Sequence, residues 1–259
     1  MKKTLLALAT VVTVTAFPVV SHAEDASPLS FNIGAVSDYR YRGISQSRLK
    51  PALQGGIDYA SPSGFYVGAW ASTIKWIKDA GEIAGVDVGS ANVELDLYGG
   101  YKGEIQKDLT YDVGVLQYVY PGNHYDNLGA GAKKADTTEI YGALTFGPAT
   151  AKYSHAVSTL FGTADSKNSG YFDLSATFDA GSGVSIVPHV GYQRVAGDLS
   201  DYSYADYSLT ASKDFDGFLL SGAIVGTNNK KINGNYAYIS PEGKNLGRTM
   251  LVVGVKKTF

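Results

Sequence analysis

The chain has 259 residues, no cysteine, 31 glycines, 19 tyrosines and 10 phenylalanines, with 18% charged residues and a formal net charge of −2. The lack of cysteine excludes disulfide scaffolds, thiolate metal sites and cysteine nucleophiles. Near-neutral charge without a basic stripe argues against a nucleic-acid partner, and so many aromatic side chains argue against disorder.

Lys2 and Lys3 open the chain, an apolar stretch runs from Leu5 to Val20, and Ser21-His22-Ala23 places small residues at both ends of a triplet. This predicts a secretory signal peptide over 1–23, cleaved after Ala23. The competing reading is a membrane-anchoring helix, against which stand the small-residue site and the acidic Glu24 and Asp25 just beyond it. The remaining 24–259 would form one domain. Nothing after Ala23 approaches the roughly 18 consecutive apolar residues of a membrane helix. Within a membrane this chain could therefore exist only as a closed barrel, the other structure that satisfies its own backbone hydrogen bonds.

The mature chain has a period of two. From Phe31 to Gly43 one parity reads Phe31, Ile33, Ala35, Ser37, Tyr39, Tyr41 and the other Asn32, Gly34, Val36, Asp38, Arg40, Arg42. Such alternation predicts a strand with one apolar and one polar face. Leu53, Ile57 and Tyr59 then oppose Gln54 and Asp58, and Val93, Leu95 and Leu97 oppose Glu94, Asp96 and Tyr98. The pattern returns around Ile140 to Phe146, Phe172 to Phe178, Ile186 to Tyr192 and Ala205 to Ala211, and at the end Leu251, Val253, Val255 and Phe259 share a face. Gly64 to Ile74, Leu109 to Tyr120, Ala149 to Leu160 and Phe218 to Thr227 are strand-like with weaker alternation. About twelve strands result, within about two, since boundaries are the least certain part of such a reading.

Every second connection is a tight polar turn, as at Ser61-Pro62-Ser63-Gly64, Gly147-Pro148, 179–183 and Asp214-Phe215-Asp216-Gly217, and the others are longer. An up-and-down antiparallel sheet with short turns at one end and long loops at the other is the layout of transmembrane outer-membrane β-barrels, short periplasmic turns alternating with long extracellular loops. A soluble barrel or sandwich would show the same alternation with its apolar face turned inward. Three features favour the membrane reading. The chain ends on Phe259 after Val255, Val253 and Leu251, a pattern resembling the C-terminal signal by which the barrel-assembly machinery receives such proteins. Tyr39, Tyr41, Tyr59, Tyr101, Tyr111 and Tyr192 fall near strand ends, where aromatic girdles lie. Charges such as Asp38, Arg40, Asp58, Glu94, Asp96, Asp173 and Asp206 sit on the polar parity, which suits a water-filled lumen.

The stretch 32–47 (NIGAVSDYRYRGISQS), followed by 51–59 (PALQGGIDY) and 64–72 (GFYVGAWAS), resembles the opening of the TorF family, porin-type proteins catalogued as conserved hypothetical proteins of proteobacteria. The likeness continues through 94–101 (ELDLYGGY) and 118–122 (YVYPG) and in spacing covers the mature chain. It implies an outer-membrane β-barrel and leaves the transported solute open.

Twelve strands lie between the eight that side chains just fill and the sixteen to eighteen of wide channels, which predicts a narrow pore, constricted further by an inward-folding loop. The expected pore-lining residues are Asp38, Arg40 and Arg42 on the first strand, Gln54 and Asp58 on the second, and Glu94 and Asp96 on the fourth. Opposed charges there could set ion selectivity, or Arg40 could pair with Asp38 or Asp58 and only neutralise a buried cluster. Tyr98, Tyr141, Tyr171 and Tyr204 could form a stacking track or simply fill volume. The expected partners are outer-membrane lipid and small hydrophilic solutes passing by diffusion, with no catalytic residue and no cofactor required.

Two other classes remain open. A barrel enzyme, a lipid hydrolase, would need a nucleophile and base, and His155 has Ser154 and Ser158 nearby, although Ser154 is on the opposite parity. His124 and Asp126 are a weak pair for a metal, and 129–134 (GAGAKK) lacks the spacing of a phosphate loop. An adhesion or structural barrel, acting through its long loops, is the other.

Overall fold

A computed structural model describes residues 27–259. The expected signal peptide lies outside the described residues. Twelve strands form one antiparallel sheet: β1 (Leu29–Val36), β2 (Ala52–Ala60), β3 (Phe65–Thr73), β4 (Val93–Gln106), β5 (Leu109–Val119), β6 (Thr137–Phe146), β7 (Ala149–Ala156), β8 (Gly170–Ala176, prolonged by Phe178–Asp179), β9 (Val184–Arg194), β10 (Tyr204–Phe215), β11 (Phe218–Thr227) and β12 (Met250–Thr258). Each strand pairs with its sequence neighbours, and β1 pairs with β12 from Asn32 opposite Thr258 to Val36 opposite Gly254, so the sheet closes on itself without an edge.

The apolar parity faces outward. Ile33, Leu53, Phe65 and Leu251 are 61–66% exposed, whereas Glu94, Asp96 and Thr210 on the opposite parity are 1–2% exposed. A water-soluble protein would bury the first set and expose the second. This inversion is the arrangement of a barrel whose wall stands in lipid. It settles the question the alternation alone left open.

The tight turns all lie at one end. Phe146 faces Ala149 across Gly147-Pro148, and Phe215 faces Phe218 across Asp216-Gly217, where both turn residues have φ > 0 (53° and 80°). Two-residue loops of this hand match the right-handed twist of the strands they join, and Asp-Gly is a preferred pair for them. Aromatic side chains gather on the outer wall near this end, with Phe65 and Tyr101 ring centroids 4.8 Å apart and Tyr101 and Tyr111 6.0 Å apart. Six long connections stand at the other end. One of them, expected as loop, contains the helix α1 (Trp76–Ala84), which ends at Gly85 in the left-handed region.

The first strand is shorter than the alternation predicts. It ends at Val36, where Ser37 leaves the ladder, accepting a hydrogen bond from the Val253 N–H on its side-chain oxygen (3.0 Å). Residues beyond it turn into the bore as a small hairpin, Arg40–Tyr41 paired with Ile44–Ser45. Asp38, Arg40 and Arg42 are therefore not on the barrel wall. Tyr39 and Tyr41 are not girdle residues either, being 2% and 7% exposed inside the barrel. The period of two runs unbroken from β1 into the hairpin because the hairpin is itself extended chain, so parity could not reveal the turn inward. Tyr59 and Tyr192 do face outward, 44% and 50% exposed.

Candidate functional site: the lumen and its inward hairpin

The hairpin turns on Arg42-Gly43, with φ of 46° and 78°. A left-handed conformation at arginine costs on the order of 1–2 kcal/mol, and the Arg42 side chain supplies the compensation. Its Nη2 donates to Glu139 on β6 (2.7 Å) and its Nη1 to Gln193 on β9 (2.5 Å), while the guanidinium lies 4.3 Å from the ring centroid of Tyr171 on β8. Gly43 is required by space as well. A Cβ there would come within 2.5 Å of Thr227 and 2.7 Å of Asp206, so the tip is wedged against β11 and β10.

The hairpin's root is anchored on the opposite side. The Tyr39 hydroxyl donates to Glu94 on β4 (2.5 Å), which also accepts from Tyr120 (2.8 Å), and the Tyr41 and Tyr118 hydroxyls are 2.9 Å apart. Asp38 ties the base together, accepting from Arg40 Nε (2.6 Å), Ser45 (2.5 Å) and Ser47 (3.1 Å). Arg40 in turn donates to the backbone carbonyls of Gly43 and Leu246 at 2.9 and 3.0 Å. Of the two pairings open to Arg40, the structure forms the one with Asp38, and the hairpin crosses the bore from β4 and β5 to β10 and β11.

Below the hairpin the lumen is polar. Tyr66 on β3 donates to Asp112 on β5 (2.6 Å) and bonds to Tyr141 on β6, and Tyr98 on β4 bonds to Asp58 on β2. On the far wall His189 Nε2 lies 2.7 Å from Asp173 Oδ2, and the Tyr171 hydroxyl donates to Asp206 (3.0 Å). Asp96, two residues from Glu94 on β4, is 1% exposed, with both carboxylate oxygens lacking a hydrogen-bond partner. Gln54 and Asp58 on β2 also face inward, with Gln54 Nε2 3.4 Å from the Ser72 hydroxyl. Among the described residues the buried side chains of the strands and hairpin include eight carboxylates and three arginines or lysines.

The lumen tyrosines follow a rule that parity could not show. Tyr98 stands directly opposite Gly68, Tyr66 opposite Gly100, and Tyr141 opposite Gly114. A Cβ on each glycine would fall 2.4–2.5 Å from an atom of its tyrosine. The rings thus lie over glycines on the neighbouring strand, an aromatic cover for a bare stretch of sheet. Wall space, rather than bore, accommodates them.

Outside the strands, Arg48 donates through Nε to Asp79 of α1 (2.7 Å) and through Nη2 to Glu82 (2.6 Å). Burial holds the Asp79 carboxyl above the usual range despite this cation, and the hydrogen bond to Asp79 holds the Arg48 proton more tightly than usual.

The other sequence candidates do not assemble. His155 Nε2 and Asn168 Oδ1 are 3.3 Å apart, while Ser154 is 4% exposed on the opposite face of β7. The Ser158 hydroxyl accepts the Thr138 N–H (2.8 Å). Among the described residues no three His, Asp or Glu side chains gather as a metal site, His124 and Asp126 included.

The family described as Gcw_chp, bacterial protein of unknown function, matches residues 22–259. The chain belongs to the Gcw_chp family. No curated protein matches it in sequence. Among solved structures it is similar to the KdgM porin in complex with disordered oligogalacturonate, at 7% identity and a TM-score of 0.51, covering 89% of this chain and 98% of that one. It is also similar to the NanC porin, at 10% identity and a TM-score of 0.52 with the same coverage. At such identities the likeness establishes the barrel fold, and function has to be argued from the lumen.

Proposed function

We propose that this member of the Gcw_chp family is an outer-membrane porin, exported with a signal peptide cleaved after Ala23, that passes small hydrophilic solutes by diffusion. The observation that carries the proposal is the inverted polarity of the wall. Apolar side chains face outward all round the barrel, and charged side chains that could have been placed on the loops line its interior. The similarity to porins and the resemblance to the TorF family support the same reading.

Asp58, Glu94, Asp96 and Gln54 line the pore from the wall, and Asp38, Arg40 and Arg42 act from the hairpin as its constriction. The carboxylate surplus favours cations, since fixed charges across a constriction set the field an ion meets. The unpartnered oxygens of Asp96 offer a transient resting place for one. Leu251, Val253, Val255 and Phe259, all outward and 40–70% exposed, form the C-terminal signal for the barrel-assembly machinery. Liposomes holding the refolded protein test the proposal. They should swell in iso-osmotic glycerol or small-sugar solutions faster than protein-free ones, and equal rates with folded protein would overturn it.

A further inference from the structure

On the long-loop side of the hairpin lies a cavity of about 720 Å³, floored by Tyr41 and Ile44 and walled by the five other long connections. Small-molecule sites commonly measure about 300–1,000 Å³. Its walls are aromatic: Trp76, Tyr125, Phe161, Tyr202 and Tyr238 all contribute. Trp76 lies 5.5 Å from Tyr125 and 6.2 Å from Phe161 between ring centroids, and Tyr202 lies 6.0 Å from Tyr238.

Two residues of this lining each hold a buried polar atom without a hydrogen-bond partner, Trp76 Nε1 and Asp79 Oδ2. Asp79 as a whole is only 2% exposed. The two residues are three apart on α1, so their side chains share a face. An indole N–H can only donate and an ionised carboxylate only accept, so a neutral group that both donates and accepts, as a hydroxyl does, serves both. The lining includes Asp79 but no lysine or arginine, which disfavours an anion. Aromatic faces, for their part, suit the apolar C–H faces of a saturated ring.

We propose that this cavity captures uncharged, hydroxylated ring solutes, a short neutral oligosaccharide being the simplest, before they enter the lumen. The proposal rests on the porin reading in taking the cavity as the approach to a pore, but binding is measurable without transport. The chain has two tryptophans, and Trp70→Phe leaves Trp76 as the only indole reporter. The folded variant in detergent is titrated with maltotriose and, separately, with trigalacturonate, following indole emission. The expected result is a saturable shift with maltotriose and at least about tenfold weaker response to the trianion.

Asp79→Ala should weaken maltotriose binding about tenfold. Because that change also frees Arg48, Ile83→Arg serves as a second variant, since Ile83 is 54% exposed and lines the cavity. It should weaken maltotriose binding and strengthen that of the uronate. No saturable shift, or equal response to both sugars, overturns the proposal. A protein that conducts ions yet gives no shift refutes capture and leaves the porin reading standing. A saturable, maltotriose-selective shift in a folded protein that does not conduct supports capture and refutes the porin.

Discussion

Removing the Arg42 guanidinium should loosen the hairpin that crosses the bore while leaving the barrel closed. The Arg42 and Glu139 side chains are 6% and 2% exposed and their charged atoms are 2.7 Å apart. Deleting one partner of a buried pair leaves an uncompensated charge and costs about 3–5 kcal/mol. Arg42→Ala also removes the bond to Gln193 and the contact with Tyr171 while leaving a non-glycine residue at φ 46°. Water in the lumen softens the charge cost to the lower end of that range, about 3 kcal/mol. At about 1.4 kcal/mol per factor of ten, the population with the hairpin displaced rises roughly a hundredfold. The twelve-strand ladder does not depend on this contact, so heat-modifiable gel mobility should be unchanged. Planar-bilayer recordings should show larger or longer openings in Arg42→Ala than in the parent. Adding Glu139→Gln should recover part of the difference, because the stranded carboxylate is then gone. Identical open probability and conductance in the parent and Arg42→Ala would refute the gating role of the hairpin.

Further substitutions test the wall, the lipid face and the C-terminus separately. Gly68→Ala drives a methyl to within 2.5 Å of the Tyr98 ring, which should cost about 1–3 kcal/mol in urea unfolding and lower conductance as the ring swings into the bore. In a Tyr98→Ala background the same change should be nearly silent. Leu209→Arg, on the lipid face at 51% exposure near the middle of β10, should destabilise the barrel in vesicles by about 2–4 kcal/mol, whereas arginine at the adjacent inward Ser208 should cost less and alter ion selectivity. Phe259→Ala should reduce the folded barrel recovered from outer membranes while leaving refolding of the purified chain in detergent unaffected, which separates a recognition signal from a folding requirement.

Much of the barrel was legible in the sequence because lipid and lumen impose a strict period of two. Even Leu109–Val119 and Phe218–Thr227, where alternation is weaker, occupy nearly or fully the strand-like spans, and the two-residue turns fall where glycine, proline and aspartate stand. The region after Val36 was not legible. Tyr39, Tyr41, Asp38, Arg40 and Arg42 keep the parity of β1, and an extended hairpin inside the bore satisfies the same pattern as a longer strand. Its one local signal was Arg42-Gly43 flanked by alternating residues, a turn pair in which arginine replaces the usual asparagine or aspartate. Gln54, Asp58, Glu94 and Asp96 face inward, on the side to which parity assigns them. Parity alone does not single out Glu139 and His189 as lumen contacts, since their importance comes from what the hairpin and a neighbouring strand bring to them. The helix α1 was missed for a related reason: its nine residues fall short of a clear helical period between two strongly alternating strands.

Planar-bilayer recording of the purified, refolded protein in potassium chloride is the most direct test of the porin proposal, which predicts discrete conductance steps with cation preference, interrupted by closures that Arg42→Ala shortens. A folded protein, verified by its heat-modifiable mobility, that inserts and gives no steps would contradict it.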